Sequence, residues 1–208
     1  MNKNLSRSRT LHLTQLALLT AILLLMAFTP LGYLKILTLS ITFLTIPVVI
    51  GATALGTTDG AILGLVFGIT SYAQCFGMDA FGTTLCGINP FYTALMCIIP
   101  RVLIGPVSGG LLHLLNRVIK TDSHHVGRRM LKYMLCCLAG ALTNTVLFVG
   151  LFVGLFGNTE FFWTLGSSVI EVVGVLVTVN AVVEALVCTF VGGVIAERLN
   201  AVINRSNA

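Results

Sequence analysis

The chain has 208 residues, of which 56% are hydrophobic and 9% charged, with a mean hydropathy of +0.99. A soluble domain carries about 25% charged residues, so this composition excludes a soluble globular protein. The formal net charge of +5 resides in short segments flanking apolar runs, which argues for a membrane surface and against a nucleic-acid partner.

A transmembrane barrel would show segments of about ten residues with alternating polarity. The apolar runs here are long and unbroken. The expected fold class is therefore an all-α integral membrane protein, a single domain over 1–208, with six transmembrane helices at about 13–29, 46–55, 61–73, 91–115, 133–156 and 169–195.

The polar, basic start carries Lys3, Arg7, Arg9 and His12 and runs into the first span without a small-residue cleavage site. Ala17 and Ala21 lie four residues apart on that span. Small residues at this spacing let a helix approach a neighbour closely within a membrane.

The β-branched stretch 32–45 contains Lys35 and reads as a long outer loop, with an extended or interfacial segment as the alternative. A sharp turn at 56–60 follows the short second span. Gly60, Gly64 and Gly68 then mark one face of the third span for tight packing.

The most unusual stretch is 71–105. An apolar helix end gives way to the polar, Gly-rich GMDAFGTTLCGINP, and the chain re-enters an apolar run with Arg101 directly after Pro100. Irregular backbone at membrane depth is tolerated only where it is packed in protein or lines a cavity. An arginine at that depth is a functional hypothesis by default. The stretch reads as one wall of a small-molecule pocket open to the outside, with Gln74 and Asn89 in the loop. Pro100 and Pro106 predict a kink in the fourth span.

Segment 116–132 is the most charged, and it contains His124 and His125. With no third ligand at a fitting spacing it reads as a solvated cytoplasmic loop, and no metal site is expected. The six cysteines show no CxxC spacing and read as small packing residues, with a Cys75–Cys86 disulfide as the alternative. Asn144 lies in span five; Asn180 and Glu184 share a face of span six.

Six spans put both termini, the turn at Asp59 and segment 116–132 on one side. That side holds ten of the twelve Lys and Arg residues, so the positive-inside rule places both termini in the cytoplasm. At 1.5 Å per residue, Arg101 lies about 15 Å below the outer end of its span, Asn144 and Asn180 about 18 Å, and Glu184 about 24 Å. Two readings follow. Arg101 is neutralised by Glu184 with the asparagines bridging helices, or these groups meet a ligand. The guanidinium fork suits a carboxylate. Walker A, HExxH, G-x-S-x-G and dinucleotide-binding patterns are all missing from the sequence, so no catalytic residue, enzymatic activity or cofactor is expected.

The basic start, the Ala17/Ala21 face, the run IPVVIGATALGTTDGAILGLVFGITS, the loop ending in INPF and the sequence PRVLIG resemble the substrate-binding (S) subunits of energy-coupling factor (ECF) vitamin transporters. The resemblance covers nearly the whole chain and looks closest to the pantothenate-type branch. It departs at Thr57-Thr58, where relatives commonly read Gly-Pro.

The resemblance implies a cell-membrane S-component bundle whose outer loops and outer helix halves bind a vitamin. It also implies docking through Ala17 and Ala21 on a shared ECF transmembrane subunit, driven by two cytoplasmic ATPases. Pantothenate is the favoured ligand, with folate, another B vitamin or a modified nucleobase as alternatives. Substrate-binding expectations fall on Arg101, Asn144, Asn180, Glu184, Gln74 and Asn89. From other classes, an ion-coupled secondary transporter would use Glu184 as proton carrier, and a purely structural membrane protein would use the polar residues as helix glue.

Overall fold

The computed structural model describes residues 3–29, 32–36, 39–118, 126–177 and 180–206. Among the described residues, the regular structure is helical except for one short hairpin. Helix α1 spans Lys3–Ala27, α2 Thr45–Ala54, α3 Thr57–Gln74, α4 Ala80–Ile88, α5 Pro90–Val118 and α6 Val126–Phe156. Three further helices, α7 Glu160–Thr164, α8 Val169–Val177 and α9 Asn180–Val187, lead through a π-helical turn, Cys188–Gly192, into α10, Gly193–Ser206.

Among the described residues, three helical stretches are long and apolar enough to cross a membrane: Thr10–Ala27, Pro90–Val118 and Gly127–Phe156. Helix α2 has ten residues, or about 15 Å of rise, roughly half of a hydrocarbon core about 30 Å thick.

Several sequence expectations need correction. The all-α class has one exception, because β1 (Tyr33–Ile36) and β2 (Leu39–Thr42) pair antiparallel, with Tyr33 opposite Thr42 and Ile36 opposite Leu39. The β-branched residues of this stretch favour extended backbone, and pairing satisfies amide groups that a loop at a membrane surface would leave open.

The polar segment 77–90 holds a helix. The Asp79 carboxylate accepts the Gly82 N–H at 2.7 Å and caps α4. The expected turn at 56–60 contracts to Gly56, whose φ of 136° suits glycine. Helix α3 starts at once, with Asp59 favourably placed in its first turn. The charged segment before span five is helical from Val126, and Lys132 is buried with its ammonium donating to Asn116 Oδ1 at 3.0 Å. In the last expected span, α9 passes without interruption through the π turn into α10. His124 and His125 lie outside the described residues.

Packing centres on α3 against α5. A side chain at Gly68 would meet Ile98 of α5, one at Gly60 would meet Gly105, and one at Gly64 would overlap the Arg101 carbonyl. The glycine face read from the sequence thus brings two backbones together. A first core joins Leu19, Leu23, Leu63, Phe67, Ile104 and Cys137. A second, at the other end of α5 and α6, is aromatic: Phe152, Phe156 and Phe162 pack with Leu85 and Met96. Phe81 of α4 packs into it with tilted rings, its centroid 5.5 Å from that of Phe152 and 5.8 Å from that of Phe161.

Candidate functional site

Arg101 lies between these two cores. The glycine face of α3 covers the backbone of α5 here, which turns the side chain toward α6. Its guanidinium carbon is 5.5 Å from the Phe67 ring centroid and 5.0 Å from that of Phe148, both within cation–π range. The residue is 7% exposed.

Nη1 donates to the Met96 carbonyl oxygen at 2.9 Å. That carbonyl would ordinarily accept from the amide four residues on, but residue 100 is proline and has none. The proline therefore opens an acceptor that the arginine fills, one turn away on the same helix. Nε is buried and has no hydrogen-bond partner.

One turn from Phe148 on α6, Asn144 donates from Nδ2 to Glu184 Oε1 at 3.3 Å. Thr45, in the first turn of α2, donates to the same oxygen at 3.0 Å. Glu184 of α9 thus ties together three helices, with Asn144 and Glu184 each 6% exposed. Asn144 Oδ1 is buried without a partner.

Arg101 and Glu184 do not form an ion pair, among the described residues. Glu184 Oε1 accepts from Thr45 and Asn144, while the guanidinium donates through Nη1 to Met96 and rests against two rings. An unpaired donor on Arg101 and an unpaired acceptor on Asn144, at neighbouring levels of α5 and α6, are costly in an apolar setting. Together they suit a ligand that both accepts and donates hydrogen bonds, an anionic group meeting the guanidinium and a hydroxyl or amide N–H meeting Asn144.

The other expected site residues are placed differently. Gln74 donates from Nε2 to the Ala27 carbonyl at 2.6 Å, tying the end of α3 to the end of α1. Asn89 accepts the N–H groups of Phe91 and Tyr92 at 3.1 and 3.2 Å and so caps α5. Asn180 opens α9, and its side chain lies outside the described residues. Ala17 and Ala21 are exposed on the face of α1 opposite buried Leu19 and Leu23.

Thr45 escaped the sequence reading. Most described threonines, such as Thr20, Thr53 and Thr143, donate back to their own helix carbonyls. Thr45 stands in the first turn of α2, with no preceding turn to accept its hydroxyl, so it reaches across to α9. Its place directly before an apolar helix was the signal available.

A separate groove of about 860 Å³ runs along the opposite face of α6, lined by Leu142, Val146, Val149, Val173, Leu186 and Phe190 among others. It includes neither Arg101 nor Asn144 nor Glu184 and offers no charged group.

Comparison with known proteins identifies the family. The family model described as "ECF transporter, substrate-specific component" matches residues 11–196. The pantothenic acid transporter PanT of Lactococcus lactis subsp. cremoris (strain MG1363) is 26% identical over 176 residues, covering 79% of this chain and 80% of the relative. The chain therefore belongs to the substrate-specific component family of ECF transporters, a family of vitamin transporters, and is a multi-pass membrane transport component rather than an enzyme.

Proposed function

We propose that this protein binds pantothenate for an ATP-driven ECF importer, with Arg101 as the anchor for the ligand carboxylate. The observation that carries the reading is the buried, unpartnered Nε of Arg101, held between Phe67 and Phe148 with Nη1 already tethered to Met96. Charge-assisted pairing with a carboxylate would use the free donors of the fork. Asn144 Oδ1, also unpartnered, would accept from a hydroxyl or amide N–H, groups that pantothenate carries. The relative named as a pantothenic acid transporter supports the same choice.

Six crossings are proposed: α1, α2, α3, α5, α6 and the run from α8 to α10. The distribution of Lys and Arg supports cytoplasmic termini. The ligand would then enter past α4 and the aromatic layer of Phe81, Phe152 and Phe162. Ala17 and Ala21, both exposed, are the proposed contact with a shared transmembrane subunit, which two cytoplasmic ATPases would drive. Glu184, bridged by Thr45 and Asn144, would fix the position of Asn144.

Mass spectrometry of small molecules retained by the purified protein tests the assignment. Pantothenate is the expected species. Retention of folate, another B vitamin or a neutral compound in its place would overturn the substrate reading.

A further inference from the structure

Three cysteines gather at the end of α3 and α5 that faces α4. Cys75, Cys86 and Cys97 form a small buried cluster beside Tyr72, each reduced. The two sulfurs of Cys75 and Cys97 are 3.8 Å apart, while Cys75 Sγ also contacts the Ser71 carbonyl at 3.4 Å. The disulfide alternative raised by the sequence, Cys75 with Cys86, thus gives way to a different pair of neighbours.

Cys75 caps the C-terminus of α3, and Cys97 lies one turn from Arg101 on α5. The glycine face of α3 has already brought these two helices into backbone contact. We infer that Cys75 and Cys97 are a redox-active pair that closes into a reversible disulfide, stapling α3 to α5 next to Arg101.

A disulfide requires the sulfurs to approach to about 2.0 Å with Cβ atoms about 3.8 Å apart. The sulfurs, 3.8 Å apart, are already in contact across two helices that pack backbone to backbone. The residues are 4% and 3% exposed, so a small oxidant is needed, and the class proposed is a hydroperoxide. One thiol is oxidised to a sulfenic acid as the peroxide O–O bond breaks and one water leaves. The neighbouring thiol then attacks that sulfur, forming the S–S bond and releasing a second water. Two thiols and one hydrogen peroxide thus give one disulfide and two waters. A dithiol reductant reverses the step by exchange.

This inference does not depend on which ligand the protein binds. Only the source of oxidant, the outside of the cell, rests on the orientation proposed above.

The test is peptide mapping of the full-length protein in lipid nanodiscs, after treatment with hydrogen peroxide and alkylation of remaining thiols. The expected product is a cross-linked peptide joining Cys75 to Cys97. It should disappear on dithiothreitol treatment, persist in Cys86→Ser and be absent in Cys97→Ser. Two results would overturn the pair. In one, both cysteines stay fully alkylatable after peroxide; in the other, the cross-link joins either of them to Cys86.

Discussion

A methyl group placed on Gly64 would run into the carbonyl oxygen of Arg101. The residue proposed to anchor the ligand is therefore positioned by the absence of a side chain on the facing helix. Gly64→Ala should push α3 away from α5 and cost about 1–3 kcal/mol, as overpacking does. It should also weaken ligand binding, because Phe67 moves with α3. Thermal unfolding in detergent and a binding titration on the same sample check both effects. Unchanged stability would mean the two helices have room to spare.

Pro100→Ala should act differently. The new amide N–H at position 100 would bond the Met96 carbonyl that Arg101 now holds, competing with Nη1. The helix should be as stable as before or more so, while affinity for pantothenate falls as the guanidinium loses its tether. A variant with lower stability and full affinity would contradict the role given to this carbonyl.

Thr45→Val removes one of the two donors to Glu184 while keeping the shape of the side chain. Interhelical hydrogen bonds in membranes average about 0.6 kcal/mol, so a small loss of stability is expected. Thr45→Ser should restore it. Chemical unfolding in mixed micelles reads the difference; equal stability of all three proteins would remove Thr45 from the network.

Much of this arrangement was legible in the sequence. Gly60, Gly64 and Gly68 announced a close helix contact by spacing alone, and Arg101 stood out because charge is rare in so apolar a run. Asn144 and Glu184 were placed near one level by counting residues, and they do meet. Counting gives depth and says nothing about rotation. For that reason the pairing of Arg101 with Glu184 was as plausible as the one observed, in which Glu184 turns to Thr45 and Asn144. Gln74 and Asn89 looked available because they sit among loop residues, yet Gln74 ties the end of α3 to the end of α1 and Asn89 caps its own helix. The hairpin was hidden because eight paired residues, rich in β-branched side chains, resemble any interfacial segment.

Docking on the shared subunit should depend on the exposed small residues of α1. Replacing Ala17 and Ala21 with Trp should leave pantothenate binding intact and abolish uptake, since bulky side chains would hold a partner helix off. Uptake that survives both substitutions would make this face an ordinary lipid-facing surface.

The central claim is that Arg101 recognises a carboxylate, and it is tested by removing each partner in turn. Calorimetry would compare pantothenate with its alcohol analogue, pantothenol, on the wild-type protein and on Arg101→Lys and Arg101→Gln. Loss of the fork in Arg101→Lys should cost about 1.5–3 kcal/mol for pantothenate, the worth of a charged hydrogen bond. The wild type should discriminate strongly against the alcohol, and Arg101→Gln should bind both ligands with nearly equal weakness. If Arg101→Gln still prefers pantothenate by the wild-type margin, the carboxylate is bound elsewhere and the assignment of Arg101 is wrong.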